Sequence, residues 1–196
     1  MNLYSLKIVT EPAVEPVTVE LMKDHLRVDD TYDDTLVALY TAMAREYAEG
    51  YCWRSFISQT WDYKLDCFPS SDSAKILIPR CPLQSVTSIT YVDTDGDTQT
   101  WSSSEYTVGT NTEPGFVVPA YDESYPSTRT QPEAVTIRFV GGYGDSPEDV
   151  PNKVKLAIMH LTAHYYENRQ SNTVKAMADV PFSVKAILDM IKVKRY

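Results

Sequence analysis

Residues 151–169 (PNKVKLAIMHLTAHYYENR) form the longest strongly apolar helical pattern in the chain. Apolar side chains recur there at the spacing of one helix face: Val154, Ala157, Ile158, Leu161 and Tyr165. Four more lie on the other sides of the same helix: Leu156, Met159, Ala163 and Tyr166. The pattern predicts a central helix that has neighbours on more than one side, and the rest of the chain must be arranged around it.

Three further helices are predicted. Thr18 is a suitable N-cap for a short helix that ends near Leu26. A second helix runs from Asp33 to Tyr51 and carries one apolar stripe: Leu36, Leu39, Tyr40, Met43, Tyr47 and Tyr51. A last helix begins at Pro181 and has one apolar face: Val184, Ile187, Leu188 and Ile191. Since the two N-terminal helices cannot bury their stripes on each other alone, we expect the C-terminal helices to complete a bundle with them.

Between the second and third helices the apolar period changes from 3.6 to 2, which is typical of strands. Seven strands are predicted there: 59–67, 74–79, 86–92, 98–101, 106–108, 115–118 and 134–140. The Asp95-Gly96 step predicts a hairpin with a type I′ turn, and residues 3–9 predict a short strand or an extended arm. The expected fold is α+β, with a helical bundle core (residues 1–54 and 145–196) and an inserted, mostly antiparallel β subdomain (residues 55–144).

The charge balance excludes one class of function. A formal net charge of −9 argues against a protein that grips nucleic acid through its phosphates, because that grip needs clustered Lys and Arg. An acidic wall can still let DNA slide past without binding it. Three widely spaced cysteines without a Cys-x-x-Cys pair favour a reducing compartment. No apolar run approaches the ~18 residues of a membrane span, so a soluble chain is expected.

Two histidines of the central helix raise the possibility of a metal site. His160 and His164 are one turn apart, and Glu167 follows at the next turn, so the three could ligate a metal ion in a metal-dependent hydrolase. The glutamate that follows the first histidine in zinc proteases is absent, and no further ligand is close in sequence. Half-buried packing histidines are the competing interpretation.

The 14 tyrosines indicate contact surfaces, because tyrosine combines a large rigid area with a polar tip. Tyr121, Tyr125 and Tyr143 lie in loops beside Pro and Gly and are candidate subunit-interface residues. A competing hypothesis makes the β segment a ligand-binding module, for example for carbohydrate, through exposed Trp101, Tyr121 and Tyr125.

Several segments, in order and over nearly the whole chain, resemble the tailed-phage head-to-tail connector (adaptor) family. They are EPVT (15–18), KDHLRVD (23–29), AREY (44–47), ISQTW (57–61), PRCPLQSV (79–86), EPG (113–115), AVTI (134–137), GGYG (141–144) and YYENR (165–169). Each segment is weak alone, and the set is fairly specific.

The resemblance implies a structural protein of the virion that is not an enzyme and needs no cofactor or metal. Such proteins form a ring, expected to be twelvefold, beneath the portal protein at the head-to-tail junction. The ring extends the DNA channel, lets the genomic DNA pass without specific binding, and gives a platform to tail or head-completion proteins. The isolated chain can be a monomer, no membrane is involved, and assembly takes place in the host cytoplasm.

The family's C-terminal segment is implicated in docking to the portal. The resemblance therefore makes four residues portal-contact candidates: Lys192, Lys194, Arg195 and Tyr196. Their basic character is opposite to the overall charge, as expected of a segment that meets an acidic partner. A basic last turn would also stabilise the helix dipole without any partner.

Overall fold

The computed structural model describes residues 4–168 and 182–193 and confirms a mixed α+β protein. The α-helices are α1 (Val19–Leu26), α2 (Asp34–Cys52), α3 (Asn152–Glu167) and α4 (Phe182–Asp189), and a 3-10 helix covers Pro147–Asp149. The strands are β1 (Tyr4–Thr10), β2 (Gln59–Leu65), β3 (Ile76–Ile78), β4 (Leu83–Val92), β5 (Thr98–Trp101), β6 (Tyr106–Gly109), β7 (Gly115–Pro119) and β8 (Val135–Gly141). Each of the seven strands predicted in the middle of the chain is present. None of the helices in the described residues has the length and apolarity needed to cross a membrane.

The described residues divide into two compact units. The sheet unit contains residues 4–12 and 58–143, and the helical unit contains residues 13–57 together with the described residues after 143. Residues 4–12, which the sequence pattern places with the helical core, belong to the sheet unit, because β1 pairs antiparallel with β2. The physical reason is the period-2 pattern of β1, which turns Leu6 and Ile8 towards the core of the sheet unit.

The sheet unit contains two antiparallel sheets that share one core. The larger sheet has the strand order β1-β2-β8-β4-β5, and the smaller sheet has the order β3-β7-β6. In β8 alternate residues are buried, because Val135, Ile137 and Phe139 all point to the same side. Side chains from both sheets complete this core, among them Ile78, Ile89 and Val117. Four of the remaining core members are aromatic (Trp61, Phe68, Trp101 and Tyr106), and three are aliphatic (Leu65, Ile76 and Leu83).

The hairpin between β4 and β5 forms as predicted, but its turn type differs. Only Gly96 has a positive φ (100°), whereas a type I′ turn requires positive φ at both central residues. The loop is closed instead by the Asp93 N–H, which donates to the Asp97 carbonyl (2.9 Å). The Asp93 carboxylate accepts the backbone N–H groups of Asp95, Gly96 and Asp97, so the side chain stabilises a longer turn.

The helical unit begins with the predicted N-cap. The Thr18 hydroxyl accepts the backbone N–H of Leu21 (3.2 Å) at the start of α1. At the turn into α2, the Lys23 ammonium lies 2.8 Å from the Asp34 carboxylate. The end of α3 lies beside the start of α2, because the Tyr166 hydroxyl donates to Asp33 (2.6 Å). Helix α3 packs against α1, α2 and α4, so the prediction that it has neighbours on more than one side is confirmed.

The orientation predicted for α2 is wrong. None of the six residues of its expected apolar stripe is fully buried, and Leu39, Met43 and Tyr47 are exposed. The buried side carries mainly small residues and one ion pair: Val37, Thr41, Ala44, Arg45, Ala48, Glu49 and Cys52. Small side chains let helices approach closely, and the buried arginine is neutralised locally, as described below.

Candidate interaction surfaces

The buried side of α2 holds a network of charged groups. Arg45 Nε donates to Glu15 Oε2 (2.8 Å), and another guanidinium nitrogen donates to Glu49 Oε2 (3.0 Å). The other oxygen of Glu49 accepts the backbone N–H of Phe56 (2.7 Å). Burial lowers the pKa of Arg45, but the hydrogen bonds and charges of Glu15 and Glu49 outweigh burial and raise it above its ordinary value. This paired arrangement makes it physically possible to bury Arg45 in place of an apolar stripe residue.

The outer side of α2 is therefore free to contact another molecule. Leu39, Met43 and Tyr47 follow one another at i, i+4 and i+8, and their exposed fractions are 55%, 45% and 38%. Single exposed apolar residues are ordinary, whereas a contiguous row on one helix side is typical of a binding surface. We call these three residues the α2 outer side. Sequence periodicity found the row but assigned it to the core.

The C-terminal segment after α4 is fixed to the end of α2. The Tyr51 hydroxyl donates to Asp189 Oδ1 (2.5 Å), and this hydrogen bond, followed by burial, raises the pKa of Tyr51 to about 12. Arg54 Nε donates to the carbonyl of Ile191 (2.5 Å), and the backbone N–H of Val193 donates to the carbonyl of Cys52 (3.0 Å). These contacts hold the main chain in place through residue 193.

Only one of the four predicted portal-contact residues lies within the described chain. Lys192 is exposed, and its ammonium lies 4.3 Å from the centre of the Tyr51 ring, which is a cation–π contact. Lys194, Arg195 and Tyr196 lie outside the described residues.

The three tyrosines predicted as interface residues have different surroundings. Tyr121 is fully exposed in the loop after β7, and Tyr143 is half-buried. Tyr125 belongs to the sheet unit's own packing. Its ring stacks on Phe68 (5.3 Å between centroids), and its hydroxyl donates to the Ala74 carbonyl (2.6 Å). Burial, followed by the charge of Asp72, raises the pKa of Tyr125 to about 12.

The ligand-binding hypothesis for the β segment required an exposed aromatic platform, and this platform is not formed. Trp101 is only 3% exposed and lies between Phe68, Tyr106 and Tyr125. Its burial follows from its position at the end of β5, where its register with Ile89 places it over the core. Of the three proposed platform residues, only Tyr121 presents its whole ring to solvent.

The histidines of α3 make packing contacts. The His160 ring stacks on His25 of α1, with 5.8 Å between the ring centres. His164 contacts the Tyr165 ring and lies beside the Asn168 amide, 3.4 Å from Nδ1. Within residues 4–168 and 182–193, no three His, Cys, Asp or Glu side chains are grouped so that they could hold a metal ion. His160, His164 and Glu167 are therefore not brought together as a ligand set there.

An exposed apolar row on one side of a helix is typical of surfaces that contact other protein chains. The chain belongs to the phage gp6-like head-tail connector protein family, whose family model matches residues 16–114, half of the sequence. The family resemblance seen in the sequence is confirmed.

Three solved structures share this fold along their whole length. The chain is 24% identical to a chain in the neck of an empty GTA particle computed with C6 symmetry, with a TM-score of 0.80, and 98% of this chain and 97% of that chain are covered. A chain in the virion of a native gene transfer agent (GTA) particle gives 24% identity, a TM-score of 0.79 and coverage of 97% and 96%. A chain in the neck of the native GTA particle computed with C12 symmetry gives 23% identity, a TM-score of 0.75 and coverage of 98% and 97%. A search of curated protein sequences found no match.

Proposed function

We propose that this protein is a structural connector at the head-to-tail junction of a tailed phage, a prophage or a phage-like particle. The observation that carries the proposal is the match of residues 16–114 to the head-tail connector family. The likeness of the whole fold to chains in GTA necks and virions supports it. In this role the chain has no catalytic residues and no cofactor or metal, and it acts by assembling and docking.

The assembled form is proposed to be a twelvefold ring beneath the portal protein. This number is supported by the neck of the native GTA particle, which contains a similar chain and was computed with C12 symmetry. The ring would extend the DNA channel and provide the platform for tail or head-completion proteins. A net charge of −9 suits a channel wall that genomic DNA slides past without specific binding. The isolated chain can stay monomeric in the host cytoplasm until it meets the portal.

The two units are proposed to have separate tasks. The helical unit would be the assembly core, and the sheet unit would be an elaboration inserted into it. Portal contact is proposed for Lys192, Lys194, Arg195 and Tyr196, as the family resemblance implies. The fixed main chain that ends with the hydrogen bond from Val193 to Cys52 supports this proposal, because it presents Lys192 from a defined position. Tyr121 and Tyr143 remain proposed contacts to neighbouring subunits, whereas Tyr125 would position the loop that carries Tyr121.

Deleting the gene for this protein from the genome that encodes the particle tests this function. We expect DNA-filled heads without tails in electron micrographs, and restoration of tailed particles by a plasmid copy. An antibody should label the neck of complete particles. Tailed, infectious particles that lack the protein would contradict the proposal.

A further inference from the structure

We propose that the α2 outer side of one copy binds the exposed side of α3 on the neighbouring copy, so that the two helix sides are the complementary halves of the ring contact. This inference rests on the proposed ring. The ring contact then has two defined surfaces and one orientation. Opposite local charges on these surfaces allow copies with the same net charge to approach each other.

The first half of the contact is the α2 outer side: Leu39, Met43 and Tyr47. Residues 35–50 span about four helix turns and contain three charged residues: Arg45, Glu46 and Glu49. Arg45 and Glu49 are buried, so Glu46 is the one charge on the exposed side of this stretch; its side chain is 68% exposed, and its carboxylate lies 3.8 Å from a guanidinium nitrogen of Arg45. Methionine and tyrosine are enriched, and charges depleted, at the centre of protein interfaces. The surface is therefore apolar with one negative charge.

The second half is the exposed side of α3. Leu156 is 43% exposed and lies on the side of the helix opposite Val154, Ile158 and Leu161, which are buried. Residues 152–166 contain two lysines, Lys153 and Lys155, and no carboxylate. Glu167, the exposed last residue of α3, lies about three helix turns from Leu156, so the positive charge is local to the N-terminal half of the helix. In a chain with a net charge of −9, this helix side is apolar with local positive charge.

The packing of the helical unit separates the two surfaces. Helices α2 and α3 pack on each other through their buried sides, so their exposed sides point away from each other. One copy thus offers an acidic apolar surface on one flank and a basic apolar surface on the other. Contacts between two different surfaces of the same chain are heterologous, and they close into a ring when the rotation per subunit allows it.

Charge complementarity identifies a second copy of this chain as the occupant. Glu46 on one copy can face Lys153 on the next, which is favourable and fixes the orientation of the contact. A symmetric contact of α2 with α2 would place Glu46 near Glu46 and would bring two acidic surfaces together. The head-to-tail arrangement avoids this local repulsion, so charge favours it over the symmetric one.

Cysteine cross-linking tests which surfaces meet. In a Cys67→Ser background, which leaves only the buried Cys52 and Cys81, Met43→Cys and Leu156→Cys are made singly and together. The full-length proteins, at a protein concentration of about 1 mM, are treated with a short bismaleimide. This protein concentration populates even a weak contact between copies. We expect the double variant to give a ladder of dimers, trimers and larger species. Each single variant should stay monomeric, and a mixture of the two should give dimers only.

Two outcomes overturn the inference. One is dimer formation by Met43→Cys alone, which would mean that α2 meets α2. The other is no cross-linking of the double variant at this concentration while its circular dichroism spectrum shows that it is folded.

A charge exchange tests the orientation with matched controls. Glu46→Lys and Lys153→Glu, each in the double-cysteine background, should lower the cross-linking yield by about threefold, and their combination should restore it. Lys185→Glu, at an exposed lysine on a different helix (α4), should leave the yield unchanged. A combined variant that cross-links no better than the single ones would remove the Glu46–Lys153 pairing.

The contact and the proposed function can fail separately. If the ladder is absent while deletion of the gene gives tailless heads, the connector function holds and the contact surfaces are wrong. If the ladder is present while the deletion still gives tailed particles, the contact is real and the connector function is wrong.

Discussion

The two units of the chain are similar in length, and they differ in where their apolar residues lie. In the described part of the sheet unit, the large apolar residues that are exposed are Val9, Leu77 and Tyr121. The helical unit exposes more of them: Val14, Leu21, Tyr32, Leu39, Met43, Tyr47, Leu156 and Met190. The sheet unit therefore buries most of its large apolar residues in its own core. The helical unit leaves more of them exposed, where they can contact other molecules.

The units also differ in which charged and polar side chains they bury. In the helical unit Arg45, Glu49 and Arg54 are buried, whereas Gln59 is the buried polar residue of the sheet unit in the described chain. A buried ion pair contributes little net stability but costs much when one partner is removed. Such a network can fix the orientation of α2, and so decide which of its sides is left outside.

Leu161→Asp should unfold the helical unit. Leu161 is fully buried on α3, and an unpaired carboxylate there would cost about 4–5 kcal/mol or more of folding free energy. We expect loss of the cooperative thermal transition in circular dichroism. Met190→Asp, at an exposed position of the same unit, is the matched control and should melt like the wild type. A folded Leu161→Asp protein would show that α3 is not the centre of the helical unit.

Arg45→Ala should be the next most damaging change. It leaves Glu15 and the buried Glu49 without the guanidinium that neutralises them, at a cost of about 3–5 kcal/mol. Urea unfolding at neutral pH measures the loss. Exposure of α2 to protease should rise in parallel, because the network fixes this helix. A loss no larger than that of an exposed arginine would mean that the buried network does not hold α2 in place.

Arg138→Ala in the sheet unit is the matched arginine change. Arg138 forms two hydrogen bonds with Asp62 (2.7 and 2.8 Å), but its side chain is 45% exposed, so solvent screens the pair. We expect the melting temperature to fall by no more than about 3 °C at pH 7.

The pH dependence of this pair has a definite sign. The hydrogen bond from Arg138 lowers the pKa of Asp62, which outweighs the opposing effect of burial. A lowered folded-state pKa contributes stability that is present above the ordinary aspartate pKa of about 4 and is lost as the pH falls through the folded value. The difference in melting temperature between the wild type and Arg138→Ala should therefore shrink at acid pH. A difference that grows on acidification would contradict the assignment.

His164→Gln should have the smallest effect. His164 contacts Tyr165 and Asn168, and glutamine keeps both a polar tip and a similar length. We expect a change of about 0.5 kcal/mol or less in unfolding free energy, with assembly unchanged. Loss of assembly with an intact fold would show that the histidines of α3 have a function beyond packing.

The sequence predicts much of the fold because its apolar residues recur with the clear spacing of helices and strands. The alternation in β8 and the i, i+3, i+4 spacing in α3 follow directly from which residues are apolar. The side on which α2 packs could not be predicted, because the ion pair of Arg45 with Glu15 joins residues far apart in sequence. The i, i+4 spacing of Arg45 and Glu49 was a visible signal, but such pairs are usually exposed. The same holds for Trp101, whose burial depends on the register of β5 with β4.

We propose that the helical unit makes the main contacts between copies, and that the sheet unit adds only those of Tyr121 and Tyr143. Electron cryomicroscopy of the neck of assembled particles would show which surfaces of neighbouring copies meet. We expect a closed ring in which Leu39, Met43 and Tyr47 of each copy lie against α3 of its neighbour. A ring held together through the sheet units, with the α2 outer side left in solvent, would contradict it.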